Sequence, residues 1–258
     1  MKLSKRILFL LMVMALMVGM VFAVAACGDD EATETTAAPA TTAGPATTAG
    51  PATTAGPATT AAPETTTTAA APAEGGILNI YITEPAFIDP WNAQETEGSK
   101  IVDACFDSLV AFDPITSAIV PKVAESWEAN ADASVWTFHL GASKFHNGRD
   151  VTAADFKYAW ERICNPALEG EISYHLAAVK GYEEMQAGTA TELVGVKAVD
   201  DKTLEVTLSY GYGDFEFVVG HPSLGPVPKE EVDKDPVAFK DMPIGNGPFM
   251  MAGPWQHD

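Results

Sequence analysis

Residues 75–258 of this 258-residue chain predict a domain of mixed α/β (α+β) class. Strand-like and helix-like segments alternate there without the regular strand–helix–strand order of a parallel sheet. Val135 to Leu140 alternates as a half-buried strand does, and residues 156–163 place their apolar side chains on one helical stripe. Two further alternating runs, 193–199 and 203–209, are separated by three polar residues and predict a hairpin.

The first element expected in this domain is a strand over residues 77–83, because its apolar side chains at alternate positions fall on one face. Glu84-Pro85 ends the strand, since a residue before proline resists regular structure. A helix is expected next over residues 98–110, where apolar side chains recur on one side.

The helix that carries the apolar stripe is expected to begin at Thr152, with Asp155 three residues on as its acidic partner. Asn165-Pro166 ends it. Three charged residues of this helix are expected to face away from the stripe: Lys157, Glu161 and Arg162. Further helical segments are expected over residues 173–187 and near 229–232.

Residues 1–26 have the pattern of an export signal: a basic start, an uncharged apolar run and small residues at its end. Val24-Ala25-Ala26 directly before Cys27 resembles the bacterial lipobox, in which the cysteine is acylated and becomes the mature N-terminus. The sequence therefore predicts lipidation at Cys27. An uncleaved membrane-spanning helix is the alternative, because the apolar run is long enough to cross a bilayer.

Residues 27–74 predict the acylated cysteine followed by a disordered Thr/Ala/Pro-rich linker. The hexapeptide PATTAG occurs at 39–44, 45–50 and 51–56, and nothing large and apolar is present from residue 28 to 74. Such a segment cannot bury enough surface to offset its chain entropy. We expect it to act as a tether between the membrane and the domain.

The charge of the chain is strongly acidic, with a formal net charge of −20. Setting aside the three basic residues of the signal and the six acidic residues of the linker leaves about −17 on the domain. This charge disfavours binding to nucleic acid or to an anionic membrane surface.

Two cysteines lie in the domain, Cys105 and Cys164. In an exported chain they could form a disulfide, or both could be buried free thiols in apolar helical surroundings. His139 and His146 have no nearby cysteine or third histidine, so no metal site is expected. No cofactor is expected, because the chain has no phosphate-binding loop or zinc-protease motif.

The domain also resembles a known protein family, and the resemblance spans about Gly75 to the end of the chain. The matching pieces occur in the family's order: Ile88-Asp89-Pro90, Phe106-Asp107-Ser108-Leu109-Val110, Ala124-Glu125-Ser126-Trp127, Trp136-Thr137-Phe138-His139-Leu140, Lys144-Phe145-His146-Asn147-Gly148, Thr152-Ala153-Ala154-Asp155-Phe156 and Pro243-Ile244-Gly245-Asn246-Gly247-Pro248-Phe249. They resemble the extracytoplasmic solute-binding proteins of the peptide/nickel ABC-transporter family, the oligopeptide- and dipeptide-binding lipoproteins.

The resemblance implies the first lobe of a two-lobed, periplasmic-binding-protein-like fold. The chain stops near the point where the family's chain crosses into its second lobe, so we expect this to be the N-terminal portion, with the C-terminal lobe missing. The implied function is a lipid-anchored, non-enzymatic component of an ABC importer on the extracytoplasmic face of the membrane. It would capture short peptides and deliver them to the permease. The alternatives are nickel or another small solute as the ligand, or a tethered structural or adhesive surface lipoprotein.

The resemblance also implies candidate ligand-binding residues. Thr83, Glu84 and Pro85 would pair their main chain with a bound peptide, as an added strand does. The alternative is an ordinary strand-to-loop transition. The loop Gly245-Asn246-Gly247 resembles the family's cleft segment, where the glycines allow close approach and the amide can bond a peptide group. The alternative is a hinge turn with no ligand contact. Tyr174 is a weaker cleft candidate, and a packing role is the preferred interpretation. No catalytic residue is expected, because Ser223 lacks the glycine of a nucleophile elbow two positions before it.

Overall fold

The computed structural model of the chain describes residues 75–257. Its helices and strands, in chain order, are α1 (Thr96–Cys105), β1 (Val110–Phe112), β2 (Ile119–Pro121), β3 (Ala124–Ala129), β4 (Val135–Leu140), α2 (Ala153–Cys164), α3 (Tyr182–Gln186), β5 (Val196–Asp200), β6 (Thr203–Thr207), α4 (Phe215–Val218), α5 (Lys229–Lys234) and α6 (Ala238–Asp241). Within this part of the chain, no helix combines the length and the apolar character needed to cross a bilayer. The predicted signal, Cys27 and the repeat linker lie outside the described residues.

The main sheet has four strands in the order β3-β4-β6-β5, and every neighbouring pair is antiparallel. Strands β1 and β2 form a separate antiparallel hairpin. Helix α2 packs against β5 and β6. The mixed α/β class is therefore confirmed, as are β4 with its predicted bounds and a β5–β6 hairpin somewhat shorter than predicted.

The core lies between this sheet and α2. Phe138 stands opposite Leu204, and Trp136 stands opposite Val206, so alternate residues of β4 and β6 present one continuous apolar face. All four of these side chains are buried. The predicted stripe of α2 is buried as well, and its members are Phe156, Ala159, Trp160 and Ile163.

The predicted start of α2 is confirmed. The main-chain N–H of Thr152 and its hydroxyl both donate to Asp155 Oδ2, at 2.8 and 2.9 Å. Arg149 adds a second contact, because its two terminal nitrogens donate to the two oxygens of Asp155 at 3.0 and 2.7 Å. A carboxylate here also interacts favourably with the positive end of the helix dipole.

The prediction that Arg162 faces away from the core was wrong. Its guanidinium donates to both carboxylate oxygens of Asp89 at 2.6 Å each, and the two residues are only 8% and 1% exposed. Their burial is possible because each charge has the other as its partner. The Asp89-Pro90 piece, 73 residues earlier in the chain, is thus joined to α2.

The predicted strand at 77–83 is absent. Residues 75–83 have no regular secondary structure, and Ile77 and Leu78 are 91% and 84% exposed. A strand needs a neighbour for its main-chain groups, and within residues 75–257 no main-chain hydrogen bond reaches this segment. The alternating pattern describes a segment suited to pairing, but the described structure contains no partner strand for it.

The predicted helix over 173–187 is also broken in the structure. A 3₁₀ turn at Ser173–Leu176 is followed by a bridge between Val179 and Leu208, and only Tyr182–Gln186 is α-helical. Gly181 has a φ of +92°, a left-handed conformation that ends regular helix and that glycine tolerates best. The pairing with Leu208 overrides the local helical pattern.

The two domain cysteines are free and buried, so the disulfide alternative is not realised. Burial raises the pKa of both thiols, that of Cys164 to about 12. Thiols held in this neutral state are poor nucleophiles. Cys105 and Cys164 therefore serve as small apolar side chains of the core.

The buried pair gives a direct test of the fold. Arg162→Met leaves the Asp89 carboxylate buried without its counter-ion, and we expect a loss of about 3–5 kcal/mol in the free energy of unfolding. The matched control is Lys157→Met on the same helix, whose ammonium pairs with the partly exposed Glu161 and Glu192. It should cost about 0–1 kcal/mol. Urea denaturation of both variants measures the difference, and equal losses would contradict the assignment.

Candidate functional site

The segment Thr83 to Pro85 lies a few residues before the buried run that begins at Ile88. Thr83 and Glu84 are exposed and Pro85 is buried. Within residues 75–257, the main-chain groups of Thr83 and Glu84 form no hydrogen bonds. They are therefore available to pair with an added strand, the role that the family resemblance implies for them.

The side chain of Glu84 contacts Trp255 and His257. Its Oε1 accepts hydrogen bonds from Trp255 Nε1 at 3.0 Å and faces His257 Nδ1 at 2.8 Å. A small cavity of about 130 Å³ lies beside these contacts, lined by Pro85 to Asp89, Lys240, Asp241, Trp255 and His257. The candidate segment thus meets the last described residues of the chain.

The loop Gly245-Asn246-Gly247 packs against the end of α1. Gly247 N donates to Cys105 O at 2.8 Å. A Cβ added to Gly245 would lie 1.9 Å from Cys105 O, and one added to Gly247 would lie 2.6 Å from the carbonyl carbon of Cys105. The two glycines therefore do allow a close backbone approach, and in this structure the neighbour is the protein's own main chain.

Asn246 completes the same contact. Its Oδ1 accepts from Asp107 N at 2.9 Å, and its Nδ2 donates to Asp107 O at 3.1 Å. The amide therefore pairs with both main-chain groups of one residue, as a neighbouring strand would. Because Asn246 is buried and used internally, its role as a ligand contact stays a prediction.

Tyr174 lies in a different cluster. Its side chain is 57% exposed, its ring centroid is 4.3 Å from that of His175, and His175 is 4.4 Å from His221. Three rings thus stand side by side at one surface. Among residues 75–257, no hydrogen bond joins Tyr174 to Thr83–Pro85 or to the Gly245 loop. Within the described residues, no hydrogen bond joins the three predicted sets to one another.

Both histidines of this cluster are held neutral. Burial, and then the nearby His175, lower the pKa of His221 to about 4. Burial also lowers the pKa of His175. His221 Nδ1 accepts from Ser223 N at 3.2 Å, so the ring proton of His221 is on Nε2. The cluster presents uncharged aromatic faces, which suit apolar or aromatic groups.

A larger groove adjoins His221, and sequence reasoning missed it. It has a volume of about 600 Å³, and its lining includes Phe106, Val110, Phe112, Phe217, His221 and Pro222. Phe112 and Phe217 stack at a centroid distance of 6.1 Å while remaining 43% and 47% exposed. The sequence does not reveal this pair, because Phe112 in β1 and Phe217 in α4 are 105 residues apart. The two rings meet only in the folded chain.

Ser223 has a structural role. Its side chain is fully buried, and its hydroxyl donates to Ala93 O at 2.8 Å. A nucleophile needs an exposed oxygen beside a base, so this geometry does not suit catalysis. Within the part of the chain that the structure describes, no cluster of three side chains suited to a metal ion is found.

Comparison with known proteins identifies a family. The model described as "Bacterial extracellular solute-binding proteins, family 5 Middle" matches residues 118–258. The chain is 40% identical over 157 residues to the periplasmic oligopeptide-binding protein OppA of Escherichia coli, covering 59% of this chain and 28% of that protein. It is 31% identical over 175 residues to the probable deoxycholate-binding periplasmic protein YgiS of the same species, covering 66% and 32%.

A solved structure agrees with these matches. The OppA of Haemophilus influenzae, in complex with the peptide RPPGFSPFR, superposes with a TM-score of 0.63 at 31% identity, covering 68% of this chain and 34% of that one. The chain thus spans about a third of the length of the relatives it matches. The names of these relatives describe binding proteins, in line with the expectation of a non-enzymatic role.

The contact between the glycine loop and α1 predicts a strong steric effect. Gly245→Ala places a methyl group against Cys105 O, and we expect a loss of about 1–3 kcal/mol in the free energy of unfolding. The matched control is Gly253→Ala, because a Cβ there would meet nothing within 4 Å. Urea denaturation measures both variants. Equal stability of the two would show that the loop does not press on α1.

Proposed function

Because this chain belongs to the family 5 bacterial extracellular solute-binding proteins, we propose that it captures short peptides for an ABC importer. The observation that carries the proposal is the match of residues 118–258 to the family model, together with 40% identity to an oligopeptide-binding protein. The protein would present its ligand to the permease of the importer. It acts outside the cytoplasm, as the family description states.

The geometry supports a peptide as the ligand class. Thr83 and Glu84 offer main-chain donors and acceptors that are unused within the described residues, and an extended peptide binds such an edge by adding a strand. The neutral ring cluster of Tyr174, His175 and His221 offers apolar faces. Main-chain pairing at Thr83–Pro85 would supply affinity that does not depend on peptide sequence. The loop at Gly245–Gly247 would shape the site through its contact with α1.

A different small solute is the second candidate. It is favoured by the similarity to a protein described as a probable deoxycholate-binding protein. A bile salt would need a broad apolar surface, and the groove beside Phe112 and Phe217 is apolar over much of its lining. Peptide is preferred because the most identical of the two curated relatives is an oligopeptide-binding protein.

Peptide binding is tested on the full chain by thermal unfolding and calorimetry, with the peptide RPPGFSPFR, trialanine, deoxycholate and Ni²⁺ as separate probes. A ligand at about 100 times its Kd should stabilise the protein by about 2.7 kcal/mol. A response to deoxycholate or Ni²⁺ alone would move the ligand away from peptides, and a response to none would contradict the proposal.

A variant pair tests the strand-addition mode itself. Thr83→Pro removes one exposed main-chain N–H, and the loss of one hydrogen bond should weaken peptide binding by about two- to tenfold. Asn79→Pro makes the same change four residues away, in the exposed segment outside Thr83–Pro85. It should leave the peptide Kd unchanged if only the predicted edge pairs with the ligand.

The membrane attachment is also part of the proposal. Residues 27–74 would be a tether that begins at an acylated Cys27, supported by the small residues before the cysteine and the repeats after it. Acyl chains anchor because each buried methylene contributes about 0.8 kcal/mol.

We expect the wild-type protein to partition into the detergent phase of a Triton X-114 extraction with Cys27 as its N-terminal residue, and Cys27→Ala to carry no acyl group. Mass spectrometry of the mature N-terminus identifies the acyl group. A wild-type protein that keeps residues 1–26 and carries no acyl group would instead favour an uncleaved apolar helix as the anchor.

A further inference from the structure

The ring of His257 stands between two carboxylates. Its Nδ1 is 2.8 Å from Glu84 Oε1, and its Nε2 is 3.1 Å from Asp241 Oδ1. An ionised carboxylate only accepts hydrogen bonds, and a neutral imidazole has only one N–H to donate. Both contacts can therefore be hydrogen bonds only when the ring carries two protons. The geometry is that of an imidazolium.

These contacts join three separate parts of the chain. Glu84 belongs to the N-terminal segment, Asp241 ends α6, and His257 lies in the last described run. Trp255 strengthens both connections, because its indole N–H donates to Glu84 Oε1 at 3.0 Å and its main-chain N–H donates to Asp241 O at 2.7 Å. Glu84 is thus held by two donors on a segment that is itself bound to α6.

The charges around the ring favour its protonated form. Hydrogen bonds to Asp241 and then to Glu84 raise the pKa of His257 above its ordinary value. Two further charged groups line the adjoining cavity, Lys240 and Asp89. Asp89 is neutralised by Arg162, and the Lys240 ammonium lies over the ring of Trp91, 5.6 Å from its centroid. Glu84 and Asp241 are therefore the two charges in direct contact with the ring.

We propose that His257 is a positioning residue for ligand capture: as an imidazolium it fixes Glu84, and with it the peptide-pairing edge Thr83–Pro85. This inference rests on the proposed peptide-binding function. When the ring loses its second proton, one of its two contacts is lost, and the connection of Glu84 to α6 then depends mainly on Trp255. The edge is held less firmly and more of its ordering has to occur at the moment of binding, which weakens affinity.

The direction of the pH dependence follows from the raised pKa. The contribution of the imidazolium is fully present below the ordinary histidine pKa of about 6.5. It is lost as pH rises through the raised value. Peptide binding should therefore be tightest in mildly acidic solution and weaken toward alkaline pH, while the protein stays folded through its core.

The test is an NMR and calorimetric titration of the full chain from about pH 5.5 to about pH 9.5. Histidine ring carbons report the titration of His257, and the indole N–H of Trp255, assigned through Trp255→Phe, reports the bond to Glu84. We expect both signals to move with one apparent pKa above that of free histidine. The Kd for RPPGFSPFR should rise about fivefold across the same transition.

His257→Gln is the informative variant, because glutamine can donate through only one group and does not titrate. It should show the weaker Kd at every pH and lose the pH dependence. The matched control is His139→Gln. His139 in β4 likewise faces a carboxylate, that of Glu128 in β3 at 3.2 Å, but it contacts neither Glu84 nor Asp241. The control should keep the wild-type pH profile.

The other outcomes separate the two proposals. If His257 titrates as a free histidine, or the Trp255 signal does not follow it, the proposed bridge of His257 between Glu84 and Asp241 is overturned. If both signals move together but the Kd is independent of pH, or His257→Gln keeps the wild-type profile, the positioning role is overturned while peptide capture stands. If both signals move together and no peptide binds at any pH, the proposed function fails, and the positioning role fails with its premise.

Discussion

The buried pair between Asp89 and Arg162 is the interaction on which the placement of the N-terminal segment depends. Two 2.6 Å contacts cross the 73 residues between them and join the segment to α2 at the centre of the domain. A buried pair adds little net stability, but a mismatched position would leave a charge unpaired at large cost. Position is therefore specified strictly at residue 89. The segment just before residue 89, which contains Glu84 and the proposed peptide-pairing edge Thr83–Pro85, is positioned by this contact.

The glycine loop contributes a second constraint of the same kind. Gly245 and Gly247 lie against the main chain at the end of α1, and Asn246 pairs with both main-chain groups of Asp107. The sequence Gly-Asn-Gly was expected to approach a peptide main chain closely, and it does so with the protein's own. The Gly-Asn-Gly sequence therefore predicted a close main-chain contact, but it did not predict which main chain would be the partner.

Local patterns in the sequence predicted the elements whose stability is local. The capping pair Thr152–Asp155, the stripe on α2 and the alternation in β4 appear in the structure as predicted. Prediction failed where a distant partner decided the outcome. Val179 bridges to Leu208 instead of continuing a helix. Arg162 is buried because Asp89 pairs with it. The segment 77–83 has no regular structure and is mostly exposed, because the described chain offers it no neighbouring strand.

The sequence by itself determined the family, the α/β class, the core of α2 and β4, and the identity of the candidate segments. These features follow from the order and spacing of residues within single stretches of the chain, where interactions between neighbouring residues decide the outcome. Only the tertiary structure decided which groups face each other: His257 between Glu84 and Asp241, Phe112 against Phe217, and His175 beside His221. Each of these contacts joins elements far apart in the chain, and such contacts exist only after the core has packed and fixed the elements that carry them.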